Sequence, residues 1–325
     1  MDGNPHQLLV GPDAGGLKPV AFDTIEVGEE LGPLDLVVDD HYLRKYAFSV
    51  DDPLWWNNDG SPFGEPVAPA AALLADALRL LNTRFDPNRD IGLHQREEAW
   101  FASPVRRDEP VRLTGVITDK YVRRGRGVWV TEAEARSLVD NRLLLRHRAT
   151  ESAGIGDPTK LGGGTSRDEE RPRRVVGEIP SGATMVAGPL AEVTPGMVLP
   201  PLTKRVHQAQ MSVYSNVEQF WRTTHTDLAT ARAEGLEHTL AQGLMSASYV
   251  SELATRFFGP WWLLTGHLNI AFVAPVRPGD ELVVRAVVTQ VRPEQGERWI
   301  ECEVWAALPD ETKVCLGWID ARVPF

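Results

Sequence analysis

Eight histidines are scattered through the 325 residues. An imidazole, with an ordinary pKa of about 6.5, is the side chain best suited to moving protons near neutral pH. One of them, His225, follows Glu218 and precedes Asp227, so carboxylates flank it along the chain. Further on, Gln242-Gly243 opens an apolar stretch with helical character. The first turn of a helix carries unpaired N–H groups and the positive end of the dipole, and a glycine there lets a ligand come close. Arg123, Arg124 and Arg126 crowd a glycine-containing turn in a chain of net charge −11. They are either a solvated turn or a set of guanidinium groups suited to phosphate. There is no CxxC, HExxH, Walker loop or GxSxG, and no metal-ligand spacing among the histidines. Neither a metal nor any other cofactor is expected.

Composition narrows the class. With 42% hydrophobic and 24% charged residues, ten Trp and ten Phe, the chain reads as globular with room for about two domains. No run approaches the roughly 18 apolar residues of a membrane span. Met1 to Gly16 lacks the pattern of a signal peptide, so a cytoplasmic protein is expected. The acidic balance argues against nucleic acid as a partner. Cys302 and Cys315 read as small buried apolar residues.

The chain repeats itself. Phe101-Ala102-Ser103-Pro104-Val105-Arg106 recurs as Phe272-Val273-Ala274-Pro275-Val276-Arg277, 171 residues on. Each copy is followed by an acidic pair, Asp108-Glu109 and Asp280-Glu281, and Ile25 to Glu29 pairs loosely with Val193 to Met197. This implies two copies of one unit, at 17–153 and 189–325, joined by a Gly-, Pro- and charge-rich linker or surface loop at 154–188. Each copy should hold an opening strand, a short helix (Asp40 to Ser49; Ala209 to Gln219) and a longer apolar helix (Ala68 to Leu81; Leu240 to Phe257). A strand meander should follow: Val111 to Tyr121, Val128 to Arg136 and Leu143 to Thr150, then Leu282 to Val291, Trp299 to Ala307 and Val314 to Val323. The class is α+β, each antiparallel sheet packed on its own helix.

This organisation resembles the double hotdog fold, and the second half resembles the MaoC-like, (R)-specific enoyl-CoA hydratase family. The stretch Tyr214 to Asp227 follows that family's motif at Tyr214, His225 and Asp227, and Gly243 matches the glycine that opens the central helix. Phe220 stands where the family has its catalytic Asp, and Arg222-Thr223 where it has Asn-Pro. The first half looks like a degenerate copy, Tyr46 to Leu54, with Trp55 or Trp56 in place of a histidine.

The resemblance implies a hydro-lyase acting on acyl-CoA or acyl-carrier-protein thioesters, by hydration of an enoyl thioester or dehydration of a 3-hydroxyacyl thioester. Such chemistry needs a base near neutral pKa, a proton source and fixed donors at the thioester oxygen. His225 is the expected base, and the N–H groups at Gln242 and Gly243 the expected donors. Glu218 in the space left by Phe220, Asp227 orienting the imidazole, or His225 alone are three ways to make up for the missing Asp; Asp227 is equally suited to cap a short helix over Leu228 to Glu234. Trp55, Trp56, Phe220 and Trp221 either fill the core or shape a pocket for a bulky acyl group. Arg123, Arg124 and Arg126 would meet the phosphates of the carrier. The alternatives are an acyl-thioester binding or partner subunit, or a hotdog thioesterase using Glu218. A double hotdog is already a pseudo-dimer, and pairing of two chains into a homodimer stays open. Replacing Phe220 by Asp is expected to raise hydration of a simple enoyl-CoA, followed by loss of the conjugated-thioester absorbance. An unchanged rate would show that the native site does not use that position.

Overall fold

The computed structural model describes residues 16–53, 60–86, 92–154, 174–187, 192–216, 222–294 and 296–325. Strand β1 (Glu30–Val38) leads into helix α1 (Asp40–Val50). The Asp39 side chain caps that helix by accepting from the Tyr42 N–H at 2.8 Å, and Asp51, at φ 50°, ends it. A 3₁₀ turn (Ala70–Leu73), α2 (Leu74–Arg79) and a second 3₁₀ turn (Leu80–Thr83) come next. Strands β2 (Leu93–Phe101), β3 (Glu109–Arg123), β4 (Arg126–Ser137) and β5 (Leu143–Gly154) complete the first half. The second half runs through β6 (Leu202–Arg205), α3 (Gln208–Tyr214), α4 (Leu228–Ala233), α5 (Gly243–Phe258) and α6 (Pro260–Thr265). It closes with β7 (His267–Phe272), β8 (Glu281–Glu294), β9 (Glu297–Ala307) and β10 (Lys313–Val323).

All the strands belong to one sheet, ordered β1-β3-β4-β5-β2-β7-β10-β9-β8-β6. Every pairing is antiparallel. The order is palindromic: each half contributes five strands, and β2 meets β7 in the middle. Glu98 lies opposite Asn269 in that central ladder, and these two residues are 171 apart, the spacing of the recurring segment. The pseudo-twofold axis therefore passes between a residue and its own duplicate. The irregularity between Ile117 and Asp119 in β3 recurs between Val288 and Gln290 in β8. The turn bond from the Arg106 N–H to Glu109 (2.8 Å) recurs from Arg277 to Asp280 (2.7 Å). Two copies of one unit fold side by side, each with its sheet on a helix.

Helix α5 forms because a run of good helix formers and small residues fits against the sheet. Nearly all of it is buried, from Leu244 to Phe258. Its counterpart in the first half is not the single helix expected over Ala68 to Leu81. It starts after Pro69 as a 3₁₀ turn, and the Tyr42 hydroxyl donates to the Ala72 carbonyl at 2.7 Å, where a regular helix would use that oxygen internally. The short helix expected over Ala209 to Gln219 is helical from Gln208 to Tyr214, and its remainder reaches residues outside those described. Residues 174–187 of the expected linker lie against the second half. The Gly177 N–H donates to Glu303, Lys313 Nζ donates to the Val176 carbonyl at 2.9 Å, and the Val186 N–H donates to the Val198 carbonyl at 2.8 Å.

Strands β2 and β7 escape the sequence pattern because polar and charged residues are interleaved with their few buried apolar ones, Ala99 and Phe101 in β2 and Leu268 and Ile270 in β7. Glu97 is fully buried, with Oε2 at 3.0 Å from His147 Nε2 and at 3.2 Å from His94 Nε2. On the other face, His267 stacks on Trp100 and is held between Asp320 (2.8 Å) and Glu98 (3.1 Å). Burial opposes charge on His267, but the bonds and charges of Asp320 and Glu98 outweigh it and raise the pKa to about 9. In the unfolded chain the value is about 6.5. The stabilisation is therefore complete below about 6.5 and is lost as pH rises through about 9. Urea unfolding of the wild type should show stability falling across that window relative to His267→Gln; parallel pH curves would contradict this.

Candidate active site

A cavity of about 1060 Å³ opens where the two halves meet. The second half supplies Ser215, Thr223 to His225, Leu240 to Leu244 and the end of β7. The first half supplies Leu78 of α2, Asn82 of the 3₁₀ turn after it, the start of β2, and the β3–β4 hairpin.

His225 sits in a tight turn. Its N–H donates to Thr223 Oγ1 at 3.2 Å, the Thr226 N–H returns to the Thr223 carbonyl at 3.1 Å, and Gln208 Nε2 donates to the His225 carbonyl at 2.9 Å. The imidazole is fixed by Nδ1, which lies 2.7 Å from the Leu240 carbonyl oxygen. A carbonyl only accepts, so Nδ1 carries the hydrogen and Nε2 is left with its lone pair. Among the described residues Nε2 meets no hydrogen-bond partner, and the residue lines the cavity. Burial lowers the His225 pKa, the Leu240 carbonyl working the other way. The ring is thus neutral at pH 7 and shaped as a base.

Asp227 does something else. Its Oδ1 accepts from the Thr230 N–H at 2.7 Å and from Thr230 Oγ1 at 2.8 Å, making it the N-cap of α4. Those bonds hold its pKa below the ordinary value. Of the two roles open to Asp227 the structure has the helix cap and not the orienting of the imidazole, which a backbone carbonyl performs; a carboxylate followed by a helical stretch is drawn to the free N–H groups of its first turn. Glu218, Phe220, Trp221, Trp55 and Trp56 lie outside the described residues.

Gln242 and Gly243 form the start of α5, with Gln242 as N-cap. The Gln242 side chain turns away from the helix and donates to Ser215 Oγ at 3.0 Å. Among the described residues the N–H groups of Gly243 and Leu244 find no acceptor, so two donors face the cavity end of a sixteen-residue helix. A Cβ on Gly243 would sit 2.9 Å from the Phe272 ring, which also packs edge-on against His94 at 4.9 Å. Arg124 (φ 50°) and Gly125 (φ 75°) form the two-residue hairpin turn, and Arg123, Arg124 and Arg126 all line the cavity. His225, Gln242, Gly243 and the three arginines are thus gathered at one cavity. The sequence reading missed the Leu240 carbonyl, Phe272, His94 and Arg96. Phe272 was visible as the first residue of the recurring segment; a carbonyl leaves no trace in a sequence.

Among the described residues no cluster of His, Cys, Asp or Glu could hold a metal ion, and no helix is long and apolar enough to cross a membrane. Residues 191–304 match the family described as MaoC like domain. A search of curated proteins finds no match. Among solved structures, the chain is similar to a MaoC-like dehydratase at TM-score 0.70 and 16% identity, over 92% of this chain and 98% of that one. A putative MaoC domain protein dehydratase from Chloroflexus aurantiacus gives 0.71 and 10%, over 96% and 99%. A Mycobacterium tuberculosis protein described as a double hotdog fold gives 0.66 and 14%, over 95% and 99%. The fold is the double hotdog, and the residues that match the MaoC like domain lie in its second half.

The contact between Gly243 and Phe272 generates a test. Gly243→Ala should cost about 1–3 kcal/mol by overpacking. Combined with Phe272→Leu, the loss should be smaller than the sum of the two single losses. Strict additivity in urea unfolding would show that the two do not touch.

Proposed function

We propose that this chain is a hydro-lyase that adds water to, or removes it from, an acyl thioester. The observation that carries the reading is the lone pair of His225 Nε2, presented to a cavity that also receives the N-terminus of α5. In the hydration direction, Nε2 takes a proton from water as its oxygen bonds to the β-carbon. The C=C electron pair moves to the thioester oxygen, where the Gly243 and Leu244 N–H groups meet the developing charge. The imidazolium then returns the proton to the α-carbon and the thioester carbonyl re-forms. Atoms and charge balance without a cofactor, and one imidazole serves as base and acid in turn. Asp227 has no part in the transfer, since its carboxylate is committed to capping α4.

The cavity is basic in an otherwise acidic protein. Arg79, Arg96, Arg123, Arg124 and Arg126 line it against Glu151 and Glu234, in a chain of net charge −11. That balance suits an anionic carrier such as coenzyme A or the phosphopantetheine arm of a carrier protein. Phe220 in place of the motif Asp favours a second reading, a subunit that binds the acyl thioester without turning it over.

Purified protein and His225→Ala, given a panel of enoyl-CoA esters, separate the two. Hydration is expected, with a loss of about 10²–10⁴-fold on substitution. Tight binding without turnover, unchanged in the variant, would favour the binding subunit. Because burial lowers the His225 pKa, the hydration rate should fall with acidity only below the ordinary imidazole value of about 6.5. An acid limb above that value would contradict the assignment of His225 as the buried neutral base.

A further inference from the structure

Arg96 is an arginine in search of an anion. It lies on β2 just after an irregularity in the pairing with β5, where the register shifts between His94 and Arg96. Such a bulge re-aims the side chains beside it. Arg96 is opposite Thr150 in β5 and Ala271 in β7, and all three line the cavity. Its Nε is buried and has no hydrogen-bond partner, and its guanidinium takes part in no ion pair among the described residues.

The carboxylates nearby are already engaged. Glu97 is held by His147 at 3.0 Å, Glu98 by His267 and Asn269, both at 3.1 Å, and Glu151 accepts from Trp129 Nε1 at 3.1 Å. A half-buried guanidinium without a partner is costly, because its charge is partly removed from water with nothing in return. Arg96 shares the cavity wall with the arginine turn. Its neighbour Gln95 donates to Ser152 Oγ at 2.6 Å, and Arg126 Nε donates to the same oxygen at 3.3 Å. From there His94 and Phe272 continue the wall to Gly243.

We propose that Arg96, with Arg126 beside it, is the phosphate-binding anchor of the carrier arm and fixes how far the thioester reaches toward the N-terminus of α5. This rests on the thioester reading of the cavity and adds the residue that recognises the carrier. The planar fork of a guanidinium matches two phosphate oxygens, and the bond is charge-assisted on both sides. Two sources share that chemistry. The phosphate next to the arm occurs in coenzyme A and in a carrier protein alike, whereas the nucleotide phosphates belong to coenzyme A alone.

Calorimetry with coenzyme A, 4′-phosphopantetheine and phosphate-free pantetheine tests this on the full chain, wild type against Arg96→Met. Affinity for coenzyme A should drop about 10- to 100-fold, the range for one charge-assisted bond, while pantetheine binding stays the same. An equal drop with 4′-phosphopantetheine would place the contact at the arm's own phosphate; a drop with coenzyme A alone would place it at the nucleotide. An unchanged affinity for coenzyme A, an equal loss for pantetheine, or a wild type that binds none of the three would overturn the proposal. Arg96→Lys keeps the charge and loses the fork. It should weaken coenzyme A several-fold and leave pantetheine alone, so the test survives a Met variant that does not fold. Binding is read without turnover, so absence of hydration with Arg96-dependent binding would count against the hydro-lyase reading only.

Discussion

The bond between His225 Nδ1 and the Leu240 carbonyl, at 2.7 Å, is the constraint on which the chemistry depends. It decides which nitrogen carries hydrogen, points the other at the cavity, and needs no carboxylate to do so. The turn that presents His225 and the segment that carries Leu240 are themselves tied together, the Leu240 N–H donating to the Thr224 carbonyl at 3.1 Å. The same segment runs directly into Gln242 and Gly243. The proposed base and the proposed oxyanion donors are therefore set by one short piece of backbone, and moving one moves the other.

What the second half cannot do is enclose a ligand. The central ladder between β2 and β7 brings in the first half, whose α2, β2 and arginine hairpin form the opposite walls. The duplication thus yields a division of labour: the turn that carries His225 lies in one copy, and the basic wall in the other. Polar contacts hold the central strands as well, Glu97 with His147 of β5 on one face and Glu98 with His267 of β7 on the other, where most of the sheet uses apolar contact. Such pairs bring geometric specificity more readily than stability.

Much of this was legible in the sequence, for identifiable reasons. The recurring Phe-x-x-Pro-Val-Arg segment gave the duplication because its residues make the same turn twice. The outer strands of each meander were visible because one face is apolar and the other solvated. Strands β2 and β7 were not, since Glu97 interrupts the buried face of β2 and β7 has only Leu268 and Ile270 buried between polar residues. His225 and Gly243 were singled out because they fall at matching positions of the motif that the second half resembles. The partner of the imidazole could not, because it is a main-chain oxygen, and Asp227 drew attention for a capping role that looks the same on paper. Arg96 was hidden because its meaning lies in what does not surround it.

The central claim is a neutral imidazole with its hydrogen on Nδ1 and a free lone pair on Nε2. The ¹⁵N shifts of His225, assigned by comparison with His225→Ala and followed from pH 5 to pH 8, read that state directly. The account predicts the Nδ1–H tautomer at neutral pH, with protonation setting in only below the ordinary imidazole range. A hydrogen on Nε2, or an imidazolium persisting at pH 7, would contradict it.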